Sequence, residues 1–228
     1  MLLKPFVLAN IFFTPNDDGT FAMTGAGTAL MWGIIAALLL VGAFIVSHAM
    51  SVKLQTKQLA FCAMAVALAT VTSMIKLFDF PTGGSITLFS MLFIVLIGYW
   101  YGPVIGIFTG MAFGILQLIM GPYILHPMQV LLDYPLAFGG LGFSGFFRNS
   151  KNGLYKGYIA GAAGRYIFSF LSGWIFFGSY AWKGWNPAAY SLVYNLIYIG
   201  AESVMTLLVL RFVPALRKAI DYIKESAE

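Results

Sequence analysis

Four polar side chains fall inside long apolar stretches of this chain, where a polar group needs a partner. Asp133, Arg165 and Glu202 are charged, and Asn195 lies seven residues before Glu202 on roughly the same helical face. Charges inside a bilayer are costly and usually serve binding, transport or proton relay. Arg165 could neutralise Asp133 or Glu202 in a buried ion pair. Asp133 could also contact a cationic or amine-bearing ligand, and the two interpretations are compatible.

Aromatic residues could provide the walls of such a site, since they make up 17% of the chain. Tyr123, Tyr134 and Tyr190 lie close in sequence to Asp133 or Asn195. Rings at the ends of apolar stretches either line a pocket or form the aromatic belt at the membrane surface. Both interpretations remain open for these three tyrosines.

The composition of the chain indicates that lipid surrounds most of it. Of its 228 residues, 60% are hydrophobic and 9% are charged, whereas soluble domains carry about 25% charged residues. The net charge of +5 does not indicate nucleic acid as a partner, because positive charge in so apolar a chain marks cytoplasmic loops. We therefore expect the chain to lie in the lipid bilayer and not to bind nucleic acid.

Seven apolar stretches approach the length of about 20 residues that a spanning helix needs. They are residues 28–50, 58–77, 85–101, 103–120, 128–147, 157–178 and 188–212. Helix breakers such as Gly83-Gly84 and Asn186-Pro187 lie between them. The sequence predicts an all-α polytopic membrane protein, with six helices in a block after residue 56 and one extra transmembrane helix before it.

Basic residues indicate the orientation of these spans. With the N-terminus outside, one membrane face receives Lys53, Lys57, Arg148, Lys151, Lys156, Arg211, Arg217, Lys218 and Lys224, and the other receives Lys4, Lys76 and Lys183. Cytoplasmic loops carry the excess of Lys and Arg. We therefore expect an extracellular tail at 1–27 and a cytoplasmic tail at 214–228. Three loops rich in Gly, Pro and aromatic residues then face outward and suit a closed pocket for a small molecule.

The chain lacks the motifs of an enzyme or of an ATPase. No phosphate-binding loop of the GxxxxGK[ST] type occurs. Residues 142–145 match a GxSG protease motif, but the only histidines, His48 and His126, lie too far from Ser144 on the predicted topology to activate it. Cys62 is the single cysteine, and no His, Asp or Glu pair has the spacing of metal ligands. We expect no catalytic residue, no metal and no cofactor.

Small residues recur at four-residue spacing in the 58–77 stretch. Ala63 is followed by Ala67, and Ala65 by Ala69. Such faces let helices approach closely. They serve either packing inside the bundle or docking of a separate membrane subunit, and the spacing is the same in both cases.

Several stretches together resemble a known family of vitamin-binding membrane proteins. They are residues 81–88 (PTGGSITL), 121–138 (with LDYPLAF), 173–185 and 189–195 (with YSLVYN). In this combination they resemble the thiamine-specific S component, the substrate-binding subunit of energy-coupling factor (ECF) transporters. The resemblance covers about residues 57–213.

The resemblance implies a fold, a ligand, partners and a place in a bacterial cell membrane. We expect a six-helix vitamin-binding domain at 57–213 that captures thiamine from outside, together with a coupling transmembrane subunit and two cytoplasmic ATPases. The family's alanine face for the coupling subunit corresponds to Ala63, Ala65, Ala67 and Ala69. The implied ligand-binding residues are Asp133, Tyr134, Tyr123, Arg165, Ser169, Gly173, Phe177, Tyr190 and Asn195.

The chain departs from the family's pattern at several positions, and two of these departures leave other ligands open. Ser169 stands where many thiamine binders have a histidine, and Phe177 where some have a tryptophan. A thiamine precursor or another aromatic vitamin is therefore an alternative ligand. A standalone ion-coupled carrier that uses Asp133, Arg165 and Glu202 as a relay is a further alternative. A structural membrane protein, whose pocket would be filled by side chains, is the third.

Overall fold

The described part of the chain is a bundle of helices with two short β-hairpins. The structure, a computed structural model, describes residues 13–15, 21–26, 29, 33, 55–121 and 123–227. The helices are α1 (Thr56–Ser73), α2 (Ser90–Tyr101), α3 (Pro103–Ile119), α4 (Pro127–Phe147), α5 (Gly153–Phe176), α6 (Pro187–Phe212) and α7 (Pro214–Ala227). In the hairpins, β1 (Phe13–Pro15) pairs with β2 (Phe21–Met23), and β3 (Lys76–Asp79) pairs with β4 (Ser85–Thr87). The extra transmembrane helix predicted at 28–50 lies almost entirely outside the described residues.

The helices agree with a protein that crosses the membrane several times. Four of those described, α1, α4, α5 and α6, are long and apolar enough to span a bilayer, and α2 and α3 are shorter apolar helices. The bounds of α3 to α6 lie within a few residues of the predicted spans, because Gly and Pro mark their ends. The prediction of an all-α polytopic fold is confirmed for this part of the chain.

The predicted bounds of the first two spans of the block were wrong. α1 ends at Ser73 rather than near residue 77, and α2 begins at Ser90 rather than at residue 85. The chain between them forms the β3–β4 hairpin, in which the amide of Phe80 donates to the carbonyl of Gly84 at 3.0 Å. Gly83 and Gly84 have φ values of 92° and 81°, which favour glycine and allow this tight turn.

α4 changes its winding at Pro135. Residues Pro127–Leu131 and Ala137–Gly140 are α-helical, while Leu132–Leu136 form a π-helical turn between them. Proline has no amide hydrogen, and its ring crowds the carbonyl four residues earlier, so a regular turn cannot continue through it. The wider turn carries Asp133 and places it beside the space enclosed by the helices.

Close helix packing at the other end of α4 depends on small residues. A Cβ on Gly106 of α3 would lie 2.6 Å from the Cα of Gly98 in α2 and 3.0 Å from that of Gly142 in α4. Ser144 is buried there and its hydroxyl donates to the carbonyl of Val95 at 2.8 Å. Ser144 therefore joins α2 and α4, and residues 142–145 serve helix packing.

The alanines of α1 divide between two faces of the helix. Ala65 and Ala69 are buried in the hydrophobic core, whereas Ala63 and Ala67 are exposed. Two buried residues cannot meet a separate subunit, so the docking role predicted for Ala65 and Ala69 is corrected to packing within the bundle. α1 is also the least buried of the four long helices, since 11% of its 18 residues are buried. Its outer face is the one that a partner or lipid can reach.

Candidate ligand-binding site

A cavity of about 350 Å³ lies at one end of the bundle, between the β3–β4 hairpin and helices α3 to α6. Ligand pockets in proteins typically measure about 300–1,000 Å³. The residues that line it include all nine of the predicted ligand-binding residues: Tyr123, Asp133, Tyr134, Arg165, Ser169, Gly173, Phe177, Tyr190 and Asn195. A structural protein without a ligand, the third alternative, would have this space filled by bulky side chains, and it is not filled.

Asp133 provides a carboxylate inside the cavity, whereas Asp79, which also lines it, is exposed and paired with Lys76 at 2.8 Å. The side-chain amide of Gln129, one helical turn earlier, donates to Oδ2 of Asp133 at 2.7 Å. Gln129 also donates to the carbonyl of Tyr123 at 3.0 Å and accepts from the amide of Leu125 at 3.0 Å. This glutamine is buried, with 1% of its surface exposed. It thereby ties the loop before α4 to the carboxylate and orients both.

Arg165 lies against aromatic rings rather than against a carboxylate. Its guanidinium carbon is 4.4 Å from the ring centroid of Phe138 and 6.0 Å from that of Tyr198. Within the described part of the chain it forms no ion pair with Asp133 or Glu202. The direct ion pair, which was one of the two interpretations, is therefore not formed here, and Arg165 makes cation–π contacts at the wall of the cavity.

The floor of the cavity is a hydrogen-bonded cluster between α5 and α6. Tyr198 donates to Oδ1 of Asn195 at 2.7 Å, and Nδ2 of Asn195 donates to the carbonyl of Ser191 at 2.8 Å. The hydroxyl of Ser191 in turn donates to the carbonyl of Phe170 at 2.7 Å. A Cβ on Gly173 would lie 2.3 Å from that hydroxyl. The absence of a side chain at Gly173 therefore permits the close approach that fixes Asn195.

The β3–β4 hairpin closes the cavity at the end of the bundle. The hydroxyl of Thr82, which lies in the turn of the hairpin, donates to the hydroxyl of Tyr194 at 2.7 Å and lies 3.2 Å from that of Tyr190. Tyr194 donates to the carbonyl of Gly83 at 2.7 Å. Gly84 approaches α6 so closely that a Cβ there would be 2.9 Å from the ring of Tyr198. The turn is thus held on α6 by hydroxyl groups and by backbone contact.

Aromatic rings wall the side of the cavity near the α3–α4 loop. Tyr123 stacks on Phe177 with centroids 5.8 Å apart and planes 28° apart. Its hydroxyl donates to that of Tyr180 at 2.8 Å, and this hydrogen bond raises the pKa of Tyr123 above its ordinary value. The backbone amide of Tyr123 also donates a hydrogen bond to the hydroxyl of Tyr134, in α4, at 2.9 Å. These rings present flat apolar surfaces on which a planar heterocycle can stack.

Glu202 holds the base of the hairpin to the start of α2. Its Oε2 accepts from the hydroxyl of Thr87 at 2.7 Å, and its Oε1 accepts from the amide of Met91 at 3.0 Å and from the hydroxyl of Ser90 at 3.2 Å. The first amides of a helix lack partners within it, so a buried carboxylate is a strong cap. Among the described residues no hydrogen bond links Glu202 to Asp133 or Arg165, so the three do not form the relay that the alternative of a standalone carrier would use.

The sequence matches the thiamine transporter protein family (Thia_YuaJ) over residues 59–221. The chain belongs to this family. It is 35% identical over 162 residues to the thiamine transporter ThiT of Bacillus subtilis (strain 168), covering 65% of this chain and 83% of that protein. It is also 35% identical over 111 residues to ThiT of Lacticaseibacillus paracasei, covering 41% of this chain and 55% of that one.

A solved structure, of ThiT from Listeria monocytogenes, has the same fold. It superposes with a TM-score of 0.59 at 28% identity and covers 70% of this chain and 96% of that one. The resemblance to the thiamine-specific S component is thereby confirmed. The chain is a multi-pass membrane protein of a transporter family and not an enzyme.

Three cavity residues were missed in the sequence although a pattern marks them. Tyr194 and Tyr198 follow Tyr190 at four-residue spacing on α6, which places all three on one face. Gln129 precedes Asp133 by four residues on α4, the spacing at which side chains of one helix meet.

Among the described residues, no three His, Cys, Asp or Glu side chains come together as a metal site would require.

Proposed function

We propose that this family member binds thiamine in the cavity between α3 and α6 and delivers it for uptake. The observation that supports this most directly is the union in one cavity of a carboxylate, Asp133, with aromatic walls and the fixed amide of Asn195. Thiamine is an organic cation with two aromatic rings. Asp133 can accept a hydrogen bond from its aminopyrimidine and balance its charge, while Phe177 and Tyr123 stack on the rings.

Titration calorimetry with the purified protein tests the ligand. We expect tight, one-to-one binding of thiamine by the unaltered protein. Asp133→Asn keeps the shape but removes the charge, and we expect it to weaken binding by roughly 30- to 1,000-fold, because a buried charged partner is worth about 2–4 kcal/mol. Glu225→Gln, at an exposed position of α7 outside this cavity, also removes one carboxylate charge and is the control; it should bind as the unaltered protein does.

Two outcomes would contradict the ligand assignment. The absence of tight binding to both thiamine and its pyrimidine precursor would remove it. Unchanged affinity in Asp133→Asn would show that the ligand lies elsewhere. Tighter binding of the precursor than of thiamine would instead identify the alternative ligand, which stays open because Ser169 and Phe177 replace a histidine and a tryptophan of the family's pattern.

We propose further that the protein is the substrate-binding subunit of an ECF-type importer and faces the outside with its cavity. The excess of Lys and Arg at the opposite end of the bundle supports this orientation. The sequence has no phosphate-binding loop, so ATP hydrolysis would come from two cytoplasmic ATPases, coupled through a separate transmembrane subunit.

Uptake into reconstituted vesicles tests the partnership. We expect labelled thiamine to accumulate when the coupling subunit, both ATPases and ATP are present, and not when any one is left out. Accumulation by the protein alone under an ion gradient would contradict the proposal and favour a standalone carrier. Binding of thiamine without transport in either case would leave the ligand assignment intact and remove only the partnership.

A further inference from the structure

A second cavity, of about 530 Å³, lies at the end of the bundle opposite to the first. It opens between the α4–α5 connection and the start of α7. Four cationic side chains border it, against the single carboxylate of Asp221: Arg148, Arg217, Lys218 and Lys224. The lining therefore carries a net formal charge of +3, from four positive groups and one negative group.

The contacts within this basic cavity leave donors for a ligand. The carboxylate of Asp221 accepts from the hydroxyl of Tyr99 at 3.3 Å. Lys224 donates to the carbonyl of Arg148, and its ammonium lies 4.6 Å from the ring centroid of Tyr99. The Nε of Arg217 is buried and has no hydrogen-bond partner within the described residues. A buried donor without an acceptor is costly, and a ligand oxygen would relieve that cost.

A helix start adds to the positive potential of the basic cavity. α5 begins at Gly153, and both this residue and Leu154 line the cavity. The first amides of a helix have no partner within it and carry the positive end of the helix dipole. Arginine, lysine and a helix start together are the groups that proteins use to hold phosphate oxygens.

Exposed apolar side chains lie next in the sequence to two residues that line the basic cavity, Arg148 and Pro214. Phe146, two residues before Arg148, is 67% exposed, and Phe212, two residues before Pro214, is 74% exposed. A free inorganic anion gains nothing from such neighbours, whereas the acyl chains of a lipid can pack on them. We propose that this cavity is a binding site for the phosphate headgroup of an anionic membrane lipid, such as phosphatidylglycerol.

Thermal unfolding of the delipidated protein in a neutral detergent tests this site. Phosphatidylglycerol is expected to raise the unfolding temperature at concentrations where phosphatidylcholine and inorganic phosphate do not. Arg217→Gln combined with Lys218→Gln should weaken the apparent affinity for phosphatidylglycerol at least about tenfold, because each basic residue near a membrane contributes appreciably to anionic lipid binding. Lys151→Gln combined with Lys156→Gln is the matched control, since it removes two charges from the same end outside the cavity.

The results separate a specific site from other causes. An equal loss in both double variants would show diffuse attraction and would overturn the proposal, as would the same stabilisation by inorganic phosphate or by phosphatidylcholine. Lys218→Gln alone, at an exposed side chain, provides a second variant if Arg217→Gln lowers the unfolding temperature before lipid is added. It should weaken phosphatidylglycerol binding more than Lys151→Gln does, and an equal effect of the two would count against the site. Thiamine binding is not needed for any of these measurements, so their result is independent of the proposed function.

Discussion

Gly173 determines how closely α5 approaches α6 beneath the ligand cavity. Gly173→Ala would place a Cβ 2.3 Å from the hydroxyl of Ser191 and 3.1 Å from Nδ2 of Asn195. One of the two must move, and the hydrogen bonds that fix Asn195 would break. We expect thiamine affinity to fall about tenfold or more in calorimetry, since a displaced polar contact costs roughly 1–3 kcal/mol.

The control for this prediction is another glycine-to-alanine change in a helix. At Gly200 of α6 the nearest atom to an added Cβ is 3.6 Å away, on the side chain of Leu196, which is ordinary contact. Gly200→Ala should therefore leave affinity unchanged. Equal affinities for both variants and the unaltered protein would show that the α5–α6 contact does not shape the site.

For single residues, the sequence predicts which of them line the cavity better than it predicts which side chains they contact. All nine expected residues line the cavity, because the motifs that carry them are specific as a set. A carboxylate was one possible partner of Arg165, but its guanidinium lies over the ring of Phe138, which is distant in sequence. No local spacing indicates that contact, since it depends on how α4 and α5 pack. The pairing of Gln129 with Asp133 is local and could have been read from the four-residue spacing.

At the scale of elements, the β3–β4 hairpin and the start of α2 depend on one carboxylate. Glu202→Gln would leave an amide nitrogen where an acceptor is needed by Thr87, Ser90 or the amide of Met91. A buried donor without an acceptor costs about 1–3 kcal/mol. We expect the unfolding temperature to fall by several degrees and thiamine to bind more weakly, because the hairpin closes the cavity.

Glu225→Gln, at an exposed position of α7, is the matched control for this change. It should alter neither the unfolding temperature nor the affinity. An unfolding temperature for Glu202→Gln that matches the control would show that the hairpin is held by its other contacts, through Thr82 and Gly83.

The hairpin is also where prediction of the elements failed. Its strands contain Leu77, Phe78 and Ile86, and they adjoin apolar helices on both sides. Apolar runs of this kind extend a spanning stretch without a break, and hydropathy does not distinguish three or four strand residues from the end of a helix. The turn was nonetheless visible as Gly83-Gly84. α3 to α6 were predicted well because Pro or Gly lies at their ends.

At the scale of the whole molecule, the coupling subunit that we propose would dock on the outer face of α1. Ala63→Leu combined with Ala67→Leu adds bulk to this exposed face without touching the core. Close approach of a partner helix requires small residues. We expect ATP-dependent uptake in reconstituted vesicles to fall at least about tenfold, while thiamine affinity in calorimetry stays the same.

Leu68→Phe supplies the control, because it adds bulk to α1 at an exposed position away from the Ala63–Ala67 face. It should transport normally. Normal uptake by the alanine double variant would assign docking to another surface, and a loss of thiamine binding would place the effect within the bundle.

The short length of α2 has a consequence for how the protein meets membranes of different composition. Its 12 residues span about 18 Å, against a hydrocarbon thickness of about 30 Å. All of them except Phe93 are buried by the other helices, so α2 does not itself meet acyl chains. Hydrophobic mismatch therefore acts on the longer outer helices, which can tilt to accommodate it. Ser90, at the start of α2, borders the ligand cavity and is thus shielded from changes in acyl-chain length.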